Sequence, residues 1–380
     1  MDGTGTRISP KVATDLSPVF HPLSFEDLPG WREDEVSRAF AAFRRSAGHV
    51  RSKPYRTGSL GVLNESFAEA CADALSHADA DEELARAFFE RHFAPCKIRP
   101  AEKGSGFVTS YYEPEIEAAR QRTEKFTVPL YGRPADLIDL DELNRPAGMD
   151  PYFAFGMQGS DGISEYHDRR AIETGVLAGL GLEIAWLADK VDAFFIHVQG
   201  AAKLRLTDGT VARVTYAAKS GHPFTGPGRI LVGLGEIPEE AVTMQEIRRW
   251  FRSNPGRIDE ILWKNRSFIF FRETSVGEPR LGPIAAAKVQ LEPGRSLAVD
   301  RLLHTFGTPF FVDAPSLIAF ENRPFRRLMI AQDTGSAITG PARGDIFAGC
   351  GAEAGEIAGT VRHPADFYAL LPKALVGGRI

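Results

Sequence analysis

Asp333 and Asp345 bracket a stretch near the C-terminus that mixes carboxylates, glycines and strand-forming residues too densely for an ordinary loop. The apolar run Leu328-Met329-Ile330-Ala331 predicts a buried strand ending at Asp333, because short apolar runs stopped by polar and glycine residues read that way. Gly335 and Gly340 let the chain turn tightly. Asp345 then opens a second apolar segment, so two carboxylates are expected at the ends of neighbouring strands, facing one cleft. Such a pair suits proton transfer. Spacing alone leaves a plainer alternative open, in which the aspartates and glycines only cap strands. A third segment repeats the pattern: Arg295 to Asp300 carries an aspartate at a strand end, followed by Gly307 and the strand-like Pro309-Phe310-Phe311-Val312.

This three-aspartate arrangement resembles the C-terminal three-aspartate (3D) domain of the membrane-bound lytic transglycosylase A (MltA) family, whose segments read roughly SxAVD, GTPxF, AxDxGxAIxG and DxFxGxG. The resemblance extends upstream to Thr109-Ser110-Tyr111-Tyr112-Glu113-Pro114, Arg170-Ala171-Ile172-Glu173, Phe194 to Gly200, and Asn265 to Glu273, and covers the chain from about residue 20 onward. Several motifs in the right order are more specific than any one alone. The chain departs from the family at Ser110, where Gly is usual, and at Ala201-Ala202, where Ser-Gly is usual. The second change removes a hydroxyl from a loop expected to line the substrate groove.

The resemblance implies cleavage of the β-1,4 bond between N-acetylmuramic acid and N-acetylglucosamine in peptidoglycan, leaving a 1,6-anhydromuramoyl end. The sugar's own C6 hydroxyl attacks the anomeric carbon, so one carboxyl serves first as acid and then as base. The family's catalytic aspartate matches Asp345, and Asp333 and Asp300 match the other two. Asp333 either raises the pKa of Asp345 by like-charge repulsion or shapes its turn through backbone hydrogen bonds. Asp300 is read mainly as a turn residue. Gln199, Gly200, Thr109, Tyr111 and Tyr112 are candidate substrate contacts, since amides and hydroxyls read N-acetyl groups and tyrosine faces cover pyranose rings. Tyr111 and Tyr112 point to opposite faces of a strand, so one is expected in the groove and the other in the core. His197 reads as a satisfied strand histidine, and Glu173 as half of a surface ion pair with Arg169 or Arg170. No cofactor and no metal is expected. A non-catalytic glycan-binding protein and a polysaccharide hydrolase are the competing readings.

The chain has 380 residues, enough for two domains, with ordinary globular proportions of 43% hydrophobic and 25% charged residues. A net charge of −5 with scattered Lys and Arg gives no basic face for nucleic acid. No run approaches the roughly 18 apolar residues of a membrane span. Cys71, Cys96 and Cys350 have no zinc-ligand spacing, and Cys71 and Cys96 are either a disulfide or two buried thiols.

Apolar spacings of three and four (Val36, Phe40, Phe43; Phe67, Cys71, Leu75; Leu84, Phe88) predict an N-terminal helical part. Residues from Phe126 to Glu236 read as β-rich, with a helix around Arg169 to Leu180 and a hairpin from Lys203 to Tyr216 turning at Asp208-Gly209, the signal of a type I′ turn. Thr243 and Glu246 predict a capped helix before Asn254-Pro255-Gly256, and Ile258, Ile261 and Leu262 a second. The expected fold is α+β and mainly β. Residues 1–115 and 237–380 form the main domain, with the three-aspartate region at 268–360, and residues 116–236 form an inserted β domain. The resemblance implies that the main domain holds a double-psi β-barrel, that the insert is a second barrel, and that a glycan strand lies between them. A peptidoglycan substrate places the protein in the periplasm, as a monomer, with an outer-membrane lipid anchor as an option. The opening Met-Asp-Gly-Thr-Gly-Thr shows no export signal.

Overall fold

The computed structural model describes residues 16–99 and 106–377, and the opening residues, where no export signal is read, lie outside them. The expected N-terminal helices span Val36–Val50, Ala68–Ser76 and Glu82–His92. Their apolar stripes carry Phe40, Phe43, Phe88 and Phe89, all buried. Phe40 and Phe88 meet edge to face with ring centroids 4.9 Å apart, a geometry that adds roughly 0.5–1.5 kcal/mol to area burial. Cys71 is a free thiol on the second helix, so it forms no disulfide with Cys96 on the strand Phe93–Ile98.

Six strands of the main domain close on themselves. Gly106–Glu113 pairs with Arg343–Cys350, which pairs with Ser296–Val299, then Phe325–Asp333, Pro309–Ala314 and Arg362–Pro372, which returns to Gly106–Glu113. Two of these pairings are parallel, Gly106–Glu113 with Arg343–Cys350 and Ser296–Val299 with Phe325–Asp333. The helical part is tied to this ring by buried polar groups next to the aspartates. Gln332, adjacent to Asp333, donates to the Ala42 carbonyl at 2.8 Å and to the Ser46 hydroxyl at 2.9 Å. Buried side-chain amides satisfied in this way hold one geometry, because leaving them unpaired costs about 1–3 kcal/mol each.

A second set of six strands runs in the order Ile269–Thr274, Val211–Lys219, Ala201–Leu206, Glu115–Ala119, Glu183–Leu187, Val128–Tyr131, and a bridge between Gly132 and Phe271 joins its ends. Its interior is filled by Leu130, Leu204, Val214 and Phe271. The strands from Ser296 onward join Gly106–Glu113 as expected. Ile269–Thr274 does not, and pairs with Val211–Lys219 instead. Its alternation is satisfied by either core, so only long-range pairing decides the sheet it enters.

Local expectations fail at four places, each for an identifiable reason. The Asp208-Gly209 hairpin forms, but only Gly209 is left-handed, at φ 84°. Asp208 Oδ1 accepts from the Thr210 N–H at 2.8 Å, so a local side-chain turn replaces type I′ geometry. The helix expected over Arg169 to Leu180 is one short turn, Arg169–Ala171, followed by a π-helical stretch that Gly175 interrupts at φ 106°. His197 lies on a helix, Lys190–Gln199, capped by Asp189 and ended by left-handed Gly200. That helix is apolar on nearly every side, so its sequence lacks a helical stripe. Glu173 is no surface partner. It accepts from Arg169 at 2.8 Å and from the Trp263 indole at 2.9 Å, and Arg169 is buried.

The helix Met244–Ser253 is capped by Thr243, whose hydroxyl accepts from the Glu246 N–H at 3.1 Å. With Ile258–Leu262 it packs Trp250 and Phe251 against Phe194 and Phe195. No helix of the described residues is long and apolar enough to cross a membrane.

Candidate active site

Asp345 sits near the start of the strand Arg343–Cys350, between two neighbours in the ring. Its cross-strand partners are Ala298 on one side and Thr109 on the other. Side chains directly opposite in a sheet lie close enough to bond. The Thr109 hydroxyl accordingly donates to Asp345 Oδ1 at 2.5 Å. Thr109 Oγ1 in turn accepts from Arg343 Nη2 at 2.7 Å. Arg343 is two residues before Asp345, hence on the same face of the strand, and its guanidinium lies over the Phe107 ring.

Two residues further along the other strand, Tyr111 donates its hydroxyl to Asp333 Oδ2 at 2.7 Å. Asp333 Oδ1 accepts from the Thr334 N–H at 2.9 Å and from the Ala286 N–H at 3.3 Å. Three donors therefore fix this carboxylate. The Tyr111 ring packs against Phe347, with centroids 5.4 Å apart. Gly282 permits that packing, since a β-carbon there would lie 2.3 Å from the Phe347 ring.

Burial pushes the Asp345 carboxyl up to about 6; the Thr109 hydrogen bond and the Arg343 charge oppose the rise, and Asp333 adds to it. Like-charge repulsion, the cause expected from the sequence, is thus the smaller contribution. Burial also raises Asp333, against the bonds from Tyr111, Thr334 and Ala286. Tyr111 is held well above its ordinary value by burial and then by Asp333, so its phenol stays protonated. The two aspartates share one patch but differ in setting. Asp345 accepts from one hydroxyl, and Asp333 from one hydroxyl and two backbone amides.

Asp300 stands apart. Its Oδ1 accepts from the Leu302 N–H at 3.0 Å and its Oδ2 from the Gly340 N–H at 2.9 Å. Both oxygens hold backbone, and they clamp the turn after Val299 to the loop that leads into Asp345. Tyr112 faces away from the aspartates and is only 7% exposed, packed against the helix Gly351–Thr360. A β-carbon on Gly355 would come within 2.9 Å of its ring. Gln199 Oε1 accepts from the Tyr112 N–H at 3.1 Å, and Gly200 ends its helix at φ 75°. Gln199 and Gly200 therefore sit at the junction of the two rings. His197 is buried, bonded to Arg169 and the Ile269 N–H, and held well below its ordinary pKa by burial and Arg169.

Sequence reasoning singled out Thr109, Tyr111, Asp333 and Asp345, which the fold brings together. It missed Arg343 and the Ala286 amide. The first had a readable signal, its position two residues before Asp345 at the start of the same strand. The second had none, because a backbone donor is set by chain path alone. Among the described residues no group of three or more His, Cys, Asp or Glu is placed to hold a metal ion.

A closed mixed ring that carries two partly buried carboxylates in one patch, joined to a second ring, defines a two-barrel protein with a candidate site on the first barrel. The MltA specific insert domain matches residues 107–272 and the 3D domain matches residues 295–371. The structure is similar to that of a membrane-bound lytic murein transglycosylase from Agrobacterium tumefaciens, with a TM-score of 0.89 and 51% identity, over 94% of this chain and 99% of that one. It is also similar to MltA from Neisseria gonorrhoeae, with a TM-score of 0.77 and 30% identity, over 95% of this chain and 97% of that one. Membrane-bound lytic murein transglycosylase A of Escherichia coli K12 is 30% identical over 267 residues, which are 69% of this chain and 64% of that relative. The chain matches less than two thirds of that curated relative's length. The chain belongs to the MltA family.

Proposed function

We propose that the protein is a lytic transglycosylase that cleaves the β-1,4 bond between N-acetylmuramic acid and N-acetylglucosamine in peptidoglycan and leaves 1,6-anhydro ends. The observation that carries the reading is Asp345, an aspartate raised to about 6 and held by one oxygen only. Arg343 donates to Thr109, so the single Thr109 proton is directed at Oδ1. The catalytic proton is then carried by Oδ2, the oxygen that Thr109 leaves without a donor. Asp345 gives that proton to the glycosidic oxygen as the bond from the anomeric carbon breaks. The same oxygen, now ionised, takes the proton of the C6 hydroxyl as that hydroxyl bonds to the anomeric carbon. Protons balance, and no water is consumed. Asp333, bonded by Tyr111, adds negative charge that favours the positive transition state.

Asp300 acts as a turn clamp in this reading, and Gln199 and Gly200 shape the junction through which the glycan passes. Tyr111 contributes through Asp333. Six closed strands with two parallel pairings support a double-psi barrel for the main ring, and residues 116–236 form the insert, to which Ile269–Thr274 adds a strand. The reading carries a monomer acting on glycan strands in the periplasm, with outer-membrane association. Mass spectrometry of products from purified sacculi tests it. Release of 1,6-anhydro-muropeptides supports the reading, reducing ends replace it with hydrolysis, and binding without release replaces it with glycan recognition.

A further inference from the structure

Ala286 supplies one of the two backbone amides on Asp333, at 3.3 Å, and its own position comes from a tight turn. The Ala285 N–H donates to the Val289 carbonyl at 3.1 Å, the Lys288 N–H donates to the Ala285 carbonyl at 2.9 Å, and Ile284 bridges Gln290. Lys288 sits in this turn at φ 61°, a left-handed conformation that is costly for a residue with a β-carbon. Such a conformation persists where surrounding contacts over-determine it. Ala287 makes those contacts. Its N–H donates to the Gln332 carbonyl at 3.0 Å, and its carbonyl accepts from the Tyr55 hydroxyl at 2.8 Å.

Tyr55 reaches Ala287 from 232 residues away in sequence and is itself firmly held. Its ring stacks on His49 with centroids 5.3 Å apart and meets Phe306 edge to face at 5.8 Å. Its N–H donates to Asn64 Oδ1 at 3.2 Å. The segment that carries it is seated on the turn after Asp300: the Gly58 N–H donates to Thr305 Oγ1 at 3.0 Å, the Ser59 N–H to the Leu302 carbonyl at 2.8 Å, and the Leu60 N–H to the Leu303 carbonyl at 3.1 Å. A β-carbon on Gly58 would lie 2.2 Å from the Leu303 carbonyl oxygen, so only glycine permits this approach. Burial raises the Tyr55 phenol, which therefore stays protonated and acts as a fixed donor.

We propose that Tyr55 is a positioning residue for Asp333: its hydroxyl fixes the Ala287 carbonyl and so aims the adjacent Ala286 N–H at Asp333 Oδ1. The consequence for catalysis rests on the transglycosylase reading, in which Asp333 favours the positive transition state. The N-terminal part thus reaches the second carboxylate twice, along the chain through Gln332 and across space through Tyr55. The titratable groups facing Asp333 are Tyr111, Asp345 and Lys288. His49, stacked on Tyr55, is held below its ordinary value by burial and then by Lys53 and Lys288.

The test is Tyr55→Phe, which deletes the donor and keeps the ring, made in the wild-type chain and in an Asp333→Asn background. The Ala286 bond holds the Asp333 carboxyl down against burial, so its loosening moves that carboxyl to higher pH. The carboxyl NMR titration of Asp333, recognised as the signal absent from Asp333→Asn, should rise by about 0.4–1 pH unit, the equivalent of one hydrogen bond. With soluble glycan strands, kcat for anhydro-muropeptide release should fall roughly threefold to tenfold while KM stays within about twofold. In Asp333→Asn the same change should alter kcat by less than about twofold, because a residue that acts through Asp333 has nothing left to position. A merely structural tyrosine would lower the melting temperature, leave the titration in place and cost the same in both backgrounds. An unmoved titration, an unaltered kcat in the otherwise wild-type chain, or an equal loss in both backgrounds overturns the proposal. If the wild-type chain forms no anhydro ends while the titration moves, the positioning stands and the reading of the reaction falls.

Discussion

In the proposed reaction Asp345 keeps a proton to begin and releases it to finish. With the group raised to about 6, kcat/KM should fall about tenfold per pH unit above that value, as the protonated fraction does. Thr109→Val removes the largest influence that opposes the rise, and the charge of Arg343 loses its relay. The descending limb should then move to higher pH, and a limb that moves to lower pH would refute the arrangement. Asp345→Asn should cut turnover by about 10⁴-fold or more, since one group does both duties and each is worth about 10² to 10⁴. The sign for stability is opposite. A carboxylate raised on folding contributes stability that is present below its unfolded value of 3.8 and lost as pH rises through about 6. The Asn variant avoids that loss, so its melting temperature relative to wild type should climb between pH 4 and pH 7, by the equivalent of at most about 3 kcal/mol. A proton on Asp345 is incompatible with tight cation ligation, so a chelator should leave the rate unchanged. Restoration of a chelated enzyme by calcium would overturn the acid–base assignment.

At the scale of elements, the strands around the aspartates were legible and the helix around His197 was not, for reasons of environment. Leu328 to Ala331 is buried and stopped by Asp333 and glycines, so its pattern matches its structure. Phe194 to His197 is buried on nearly all sides, and a helix without a polar face shows no period. The ring closure between Gly106–Glu113 and Arg362–Pro372, and the transfer of Ile269–Thr274 to the second ring, depend on partners 50 or more residues away in sequence. The strand that carries Asp345 is also the place where packing meets chemistry. A β-carbon on Gly344 would lie 2.9 Å from both Leu297 Cδ1 and the Phe367 ring, which are fully buried. Gly344→Ala should therefore cost about 1–3 kcal/mol by overpacking, read in urea unfolding, and should lower kcat more than KM because the shift falls next to Asp345. A variant with wild-type stability and rate would mean that the ring yields there without moving the acid.

On the scale of the whole molecule, a buried charge pair joins the two barrels, beside the Tyr112–Gln199 bond at their junction. Arg213, on the second ring, bonds Glu113 at the end of the Tyr111 strand, with Nε 2.8 Å from Oε1 and Nη2 2.9 Å from Oε2. It also donates to the carbonyls of Gly282, at 3.1 Å, and Leu281, at 2.9 Å, in the segment that lies beneath Phe347. Both partners are fully buried. The Cys350 thiol donates to Glu113 Oε2 at 3.0 Å and is itself pushed up to about 12, chiefly by burial, so it serves as a donor and not as a nucleophile. Removal of one member strands the other in a dry setting, which costs about 3–5 kcal/mol, whereas replacement of both by apolar groups is often near neutral. Arg213→Met should accordingly destabilise by that amount, and Arg213→Met with Glu113→Leu should recover much of it. Burial already raises Glu113 against the pull of Arg213, and loss of Arg213 raises it further. The destabilisation should therefore shrink as pH falls and the carboxyl becomes neutral, and grow toward pH 8. Denaturation at pH 5 and pH 8 separates this from a simple packing defect, which would show the same loss at both. Because the pair fixes how the barrels face each other, the single variant should also raise KM for glycan strands, with the pH dependence set by Asp345 unchanged.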